Sequence, residues 1–203
     1  AVAELALAHM LSVARFISVA GHTMREGKWE KKAYKGIELT GRTVGIVGYG
    51  RIGQALGKRC QALGMNVLAY DIYQVPELQC DTMKYVELDE LLAKSDIISL
   101  HVPSLPGQPF VNEETIAKMK DGVILINTSR GTNVDEAALL AALESGKVYG
   151  AGLDVFAEEP AKNEALYSHP HVSCTPHIGA STVEAQKRIG AEIVDIICKQ
   201  FDL

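Results

Sequence analysis

A doubly wound α/β fold with a parallel sheet is what this sequence predicts, and three observations predict it. Apolar runs of strand length alternate with stretches of helical periodicity over most of the chain. Runs such as "GVILIN" and "DIISL" show no polar alternation, which is the pattern of strands covered on both faces. Glycine turns follow two of the runs directly, as strand-to-helix connections of this class require.

The elements follow in order. The opening "AVAELALAHMLSVARFISVAGH" reads as one helix over residues 1–24, apolar on most of its surface and so buried between layers or subunits. Glu4, His9 and Arg15 interrupt it and no basic segment precedes it, which argues against a signal peptide or a membrane span. A polar loop around Trp29 leads to the strand "RTVGIV". Ile52, Ala55, Leu56, Cys60 and Leu63 then fall at helical spacing. "MNVLAYD" is a second strand, "ELDELLAKS" a helix, "DIISLHVP" a strand ended by Pro103. "NEETIAKMK" is a helix starting near Asn112, "GVILINTSRG" a strand and turn, and "DEAALLAALESG" a helix stopped by Gly146. "VYGAGLDVF" and "HVSCTPH" are the last strands, and residues 183–203 a final helix with Ser181 as its N-cap.

Composition narrows the function classes. The 203 residues are 47% apolar and 22% charged, enough for one large domain. A net charge of −5 leaves no basic footprint for nucleic acid or an anionic membrane. Cys60, Cys80, Cys174 and Cys198 form no CxxC pair, so they read as reduced thiols of a cytoplasmic protein.

The stretch "GYGRIG" carries the first chemistry. Gly48 allows a tight turn, Gly50 lets the backbone approach a pyrophosphate, and Gly53 lets the helix pack on the sheet. The pyrophosphate is expected on residues 50–53, hence also on Arg51 and Ile52. Asp71, at the end of the second strand, can accept hydrogen bonds from a ribose diol and would repel a 2′-phosphate, so NAD is expected rather than NADP. Two rivals share the pattern: a strand–helix turn without a ligand, and a methyltransferase.

Three polar groups stand beyond later strands, where open α/β sheets bind ligands. They are Arg130 in "NTSRG", the acids Asp154, Glu158 and Glu159 in "LDVFAEEP", and His177 in "TPHIGAST". A base to take a hydroxyl proton and a cation to hold a carboxylate are the parts that alcohol oxidation needs. His9 and His22 read as packed or solvated, His101 as a lining of the cofactor cleft, and His169 and His171 as surface loop residues. No metal-ligand spacing is present.

Five motifs in sequence order, "GRTVGIVGYGRIG", "DIISLHVP", "ILINTSRG", "GAGLDVFAEEP" and "TPHIGAST", resemble the nucleotide-binding domain of the D-2-hydroxyacid dehydrogenases over nearly the whole chain. The resemblance implies a substrate-binding role for Arg130, an acid/base role for His177 and a partner role for Glu159, the acid directly before Pro160. It leaves Glu158 as a solvated acid. It implies that Asp154 meets the nicotinamide carboxamide and that Pro103, Thr128 and Gly179, in the matching strand-end motifs, complete the cofactor site. It implies a small 2-hydroxy or 2-keto acid substrate.

"TPHIGASTVEAQ" resembles the 3-phosphoglycerate dehydrogenase branch most, with glyoxylate and hydroxypyruvate reductases as the alternative and a corepressor-like NADH-sensing protein as a rival of another class. The family's second domain has no counterpart in the chain. Residues 1–24 would be the crossover helix and 183–203 the start of the return. NAD binding with little turnover is the expectation, with a homodimer formed through the first helix, at Leu7 and Leu11, and through the arm around Trp29.

Overall fold

The computed structural model describes residues 1–104 and 106–201. Its strands are β1 (Thr43–Val47), β2 (Asn66–Tyr70), β3 (Met83–Tyr85), β4 (Ile97–Leu100), β5 (Val123–Asn127), β6 (Val148–Leu153) and β7 (Val172–Cys174). All pair in parallel, in the order β3-β2-β1-β4-β5-β6-β7. The chain builds outward from β1 to β3, then returns to lay β4 on the other side of β1. That reversal makes a crevice at the carboxyl ends of β1 and β4.

Helices cover both faces. On one lie α1 (Val2–Arg15) and α3 (Arg51–Ala62), and on the other α4 (Leu88–Lys94), α5 (Glu113–Lys118) and α6 (Glu136–Glu144). Two apolar clusters follow from this: Met10, Ile46, Leu56 and Ile126 under α1 and α3, Leu91, Leu125, Leu139 and Leu143 under α4 to α6. The unbroken apolar runs of β4 and β5 are buried at every position because each face meets a helix layer.

Local signals place the helix ends. Asn112 caps α5 in a reciprocal box with Thr115, and Asp135 caps α6 through the N–H groups of Ala137 and Ala138. Gly146, at φ 78°, turns the chain after α6. Strand β3 and the four-residue α7 (Glu164–Tyr167) escape sequence reading because each is too short to show a period.

Two expectations are corrected. The opening is not one helix. It breaks at Phe16, in the left-handed region at φ 56°, and resumes as α2 (Ile17–Arg25) after a 68° bend. The break seats the Phe16 ring among Tyr34, Tyr149 and His171, at centroid distances of 5.9, 6.0 and 5.3 Å. His171, in the turn that precedes β7, packs into this aromatic cluster. The last helix, α8 (Val183–Phe201), is capped by the Thr182 hydroxyl, which accepts the Ala185 N–H at 3.1 Å, and not by Ser181. Residues 202–203 of the expected return helix lie outside the described residues. Among the described residues no single helix is long and apolar enough to cross a membrane.

Candidate active site and cofactor cleft

The glycine turn joins β1 to α3, and each glycine meets a different constraint. Gly48 holds φ 90°, and a methyl group there would come within 2.5 Å of the His101 carbonyl oxygen. A methyl group on Gly53 would meet the Gly48 carbonyl oxygen at 2.2 Å. Gly50 has open space where a side chain would project. So Gly48 and Gly53 are required by the turn itself, while Gly50 leaves the α3 N-terminus bare toward the crevice. The first-turn N–H groups, from Arg51 onward, have no acceptor within their own helix, which suits an anion. Asp71 follows β2, and its carboxylate accepts the N–H of Tyr49 at 2.6 Å and of Tyr73 at 2.9 Å. It thus ties the second strand end to the glycine turn and keeps further lone pairs for a hydroxyl donor.

Beyond β5, Asn127 closes the loop that carries Arg130. Its amide donates to the Arg130 carbonyl at 2.9 Å, and its Oδ1 accepts the Ser129 N–H and hydroxyl at 3.0 and 2.8 Å. Asn133 donates to the carbonyls of Val102 and Pro103, which fastens the same loop to the end of β4. Gly131 faces the segment after β6 so closely that a methyl group would lie 1.8 Å from the Phe156 carbonyl oxygen. This approach brings Arg130 beside Glu159. Sequence reading passed over Asn127 and Asn133, although an Asn directly after an apolar run is a turn signal.

His177 and Glu159 meet. Nδ1 of the ring lies 2.7 Å from Glu159 Oε2, and Oε1 accepts the Phe156 N–H at 3.3 Å. The His177 hydrogen bond, with Arg130 nearby, holds the Glu159 carboxyl below the usual glutamate range. Glu158 turns away to Lys162 in solvent. His177 has φ 54°, an uncommon conformation for a residue with a side chain, and its N–H donates to the Asp154 carbonyl at 2.8 Å. The Asp154 carboxylate, 1% exposed, accepts the N–H groups of Ile178 and Gly179 at 2.8 Å each. It therefore braces the histidine loop as well as lining the cleft.

A cavity of about 500 Å³ collects Ile52, Pro103, Thr128, Arg130, Asp154, His177 and Gly179. Gly48, Gly50, Arg51, Gly53 and Asp71 form the adjoining turn at the foot of α3. Two buried polar atoms on its wall have no partner, Thr128 Oγ1 and His101 Nδ1. Burial pushes the His101 imidazole down to about 4, so it is neutral there. Orphaned donors and acceptors beside an open glycine turn fit a polar, elongated, anionic ligand such as a dinucleotide. On the other side of the dyad an apolar cavity of about 400 Å³ is lined by Phe156, Pro160, Tyr167 and Cys174. Among the described residues no cluster of three His, Cys, Asp or Glu side chains is arranged to hold a metal.

The chain is similar to known proteins in sequence and in fold. The chain is 52% identical to a hydroxypyruvate reductase of Thermotoga maritima over 206 residues, covering 100% of the chain and 67% of that protein. It is 47% identical to a D-3-phosphoglycerate dehydrogenase of Archaeoglobus fulgidus, covering 96% of the chain and 38% of that protein. Among solved structures, a glyoxylate reductase from Paecilomyes thermophila superposes with a TM-score of 0.87 at 41% identity, over 94% of this chain and 58% of that one. A D-lactate dehydrogenase from Aquifex aeolicus, complexed with NAD and lactic acid, superposes with a TM-score of 0.86 at 36% identity, over 97% and 64%. The sequence profile of the NAD binding domain of D-isomer specific 2-hydroxyacid dehydrogenases matches residues 7–179, and the chain belongs to that family, with NAD as its cofactor.

Proposed function

We propose that the chain supplies the cofactor half of a dehydrogenase that interconverts a small 2-hydroxy acid and its 2-keto acid, with His177 as the proton carrier. The observation that carries this is the 2.7 Å contact between His177 Nδ1 and Glu159, beside Arg130, at the mouth of the dinucleotide cleft. Bound NAD supplies a hydride acceptor, and NADH a donor, for the substrate carbon. The ionised Glu159 holds the proton on Nδ1, which leaves Nε2 free to take the hydroxyl proton in oxidation or to return it in reduction. Arg130 presents a planar fork to the substrate carboxylate. The bare α3 N-terminus at Gly50 receives the pyrophosphate, and Asp71 the ribose.

The preferred substrate is an unphosphorylated acid of the hydroxypyruvate class. Relatives of that name reach 52% and 48% identity, against 44–47% for phosphoglycerate dehydrogenases. Arg130 is also the only Lys or Arg among the described residues lining the two cavities that it shares with His177, so this wall offers a carboxylate its cation but none for a second, phosphate charge. The likeness of "TPHIGASTVEAQ" to the phosphoglycerate branch supports the second reading. The chain spans 67% and 61% of the hydroxypyruvate reductases and 36–38% of the phosphoglycerate dehydrogenases, so turnover is assigned to the full-length protein.

A homodimer through α1, α2 and the Trp29 arm belongs to the same proposal. Ile17, Met24 and Trp29 are exposed, Trp29 at 79%. Leu7 packs against the core, so Leu11, Ile17 and Met24 are the positions to charge when testing the interface by sedimentation. Cys60, Cys80, Cys174 and Cys198 are unbridged, and a cytoplasmic setting belongs to the same proposal.

Two measurements test the reading. Calorimetric titration of this chain should show NADH binding that falls about 10- to 100-fold in Asp71→Ala, the loss of one or two hydrogen bonds to a charged group, with NADPH poor. Steady-state assays of the full-length protein should rank hydroxypyruvate and glyoxylate above 3-phosphohydroxypyruvate. The reverse ranking would establish the phosphoglycerate reading, and tight NADH binding without turnover of any 2-keto acid would establish a cofactor-sensing protein.

A further inference from the structure

One buried polar side chain outside the residues above reaches the histidine loop. His9 stands in the middle of α1 and is 2% exposed. It fits against the sheet because β6 carries Gly152 beneath it, where a methyl group would come within 2.5 Å of His9 Cβ. Its ring bridges two hydroxyls on and after β7: Nδ1 lies 3.1 Å from Ser173 Oγ, and Nε2 lies 3.0 Å from Thr175 Oγ1. Thr175 Oγ1 lies 2.6 Å from Asp154 Oδ1.

The proton inventory gives this chain one direction. A carboxylate only accepts, so the Thr175 hydroxyl donates to Asp154 and its oxygen accepts from His9 Nε2–H. A neutral imidazole has one N–H, so Nδ1 accepts from Ser173. Burial lowers the His9 imidazole below its usual value, against the opposing pull of Asp154, which favours this neutral form. The series then ends on the carboxylate that holds the N–H groups of Ile178 and Gly179, while the Asp154 carbonyl holds that of His177.

We propose that His9 is a positioning residue for the reaction: through Thr175 it fixes the Asp154 carboxylate, and through Asp154 the strained backbone that keeps the His177 ring against Glu159. The inference rests on the reading of His177 as the proton carrier. His9 acts only through its neighbours. A ring that merely filled space would not need both nitrogens matched to hydroxyls, nor a donor order that closes on a carboxylate.

Three variants of the full-length protein test it. The terminal amide nitrogen of Gln reaches the place of Nε2 and donates to Thr175 as Nε2–H does; that of Asn reaches the place of Nδ1, where it donates to the Ser173 hydroxyl in place of accepting from it. His9→Gln therefore restores the arm to Thr175 and His9→Asn the arm to Ser173, while His9→Leu restores neither. The expected result is a kcat lowered about 10- to 100-fold in His9→Leu and His9→Asn, the scale of a small misplacement at the reacting centre. His9→Gln should recover most of the loss, and the KM for NADH should stay within about twofold throughout. Proton NMR supplies a readout independent of turnover. The low-field His177 Nδ1–H resonance, identified by its absence in His177→Gln, should persist in His9→Gln and broaden in the other two. Equal losses in Gln and Asn, or an unaltered resonance and kcat in Leu, would make His9 a core filler and overturn the proposal. Absence of turnover in the unmutated protein would instead remove the proposed dehydrogenase activity, with the NMR comparison still deciding the part played by His9.

Discussion

His177 Nδ1 and Glu159 Oε2 lie 2.7 Å apart, although one follows β7 and the other follows β6. The contact exists because β6 and β7 are neighbours in the sheet and both chains leave it at the same edge. In the proposed reaction a carboxylate in that place holds the proton on Nδ1 and so selects the tautomer that leaves Nε2 to the substrate.

Glu159→Gln separates that effect from binding. The amide keeps the shape and removes the charge, so kcat should fall about a hundredfold or more while NADH affinity is retained. The Glu159 carboxyl is lowered from its ordinary value of 4.5 by the His177 hydrogen bond. A lowered carboxyl keeps its contribution above the unfolded value and loses it only as pH falls through the lower, folded one. The dyad should therefore persist at pH 5 and open below 4.5. A titration of the Glu159 carboxyl carbon by NMR checks this, and a midpoint above 4.5 would contradict it.

The glycines of the first turn should respond differently to the same change. Gly50→Ala should fold with a stability within about 1 kcal/mol of the parent, because nothing lies within contact distance of the added methyl group. Its NADH binding should be lost, because the methyl group occupies the phosphate's approach. Gly48→Ala should lose about 1–3 kcal/mol from the left-handed backbone alone, before its clash with His101. Urea unfolding beside calorimetry gives both quantities. Equal effects at the two positions would show that the open face at Gly50 is not an anion seat.

Gly131 sets the spacing between the arginine loop and the Glu159 segment. Gly131→Ala should destabilise the protein by about 1–3 kcal/mol, the usual cost of overpacking, since the Phe156 carbonyl has to move. The shift should also raise the KM for the 2-keto acid more than that for NADH, because Arg130 moves and the glycine turn does not. Asn127→Ala should give the same pattern through loss of three hydrogen bonds inside the loop.

His101 predicts an acid-side loss of stability. Its folded-state value is about 4 against an ordinary 6.5, and burial is the cause. Below pH 6.5 the unfolded chain takes a proton that the folded one refuses, so stability declines until pH reaches about 4. The full difference is worth about 3 kcal/mol. Urea midpoints of His101→Gln should be flatter than those of the parent between pH 6.5 and 4. Parallel curves would mean that the His101 imidazole is not buried in its neutral form.

The linear order of residues was enough for the architecture and for naming candidate chemical parts. Unbroken apolar runs such as "VILIN" have one stable use, between two helix layers, and "GYGRIG" after such a run has one strong use, because each of its glycines removes a different obstacle. Arg130, the acids of "LDVFAEEP" and His177 stood out as candidates since each follows a strand, and parallel strands release their ends on one side; the choice of Glu159 over Glu158 came from the resemblance of "EEP" to the family's motif. Tertiary structure alone decided the rest. Phe16 breaks the first helix because an aromatic cluster drawn from Tyr34, Tyr149 and His171 is available to its ring, and no local signal encodes that. Thr182 caps the last helix in place of Ser181, a one-residue choice set by how the chain leaves the histidine loop. His9 looked like a residue for packing or solvent until the sheet set it against Ser173, 164 positions away. Periodicity and turn chemistry act over a few residues and are readable in order. A hydrogen bond between distant side chains depends on which strands become neighbours, and only the folded sheet supplies that.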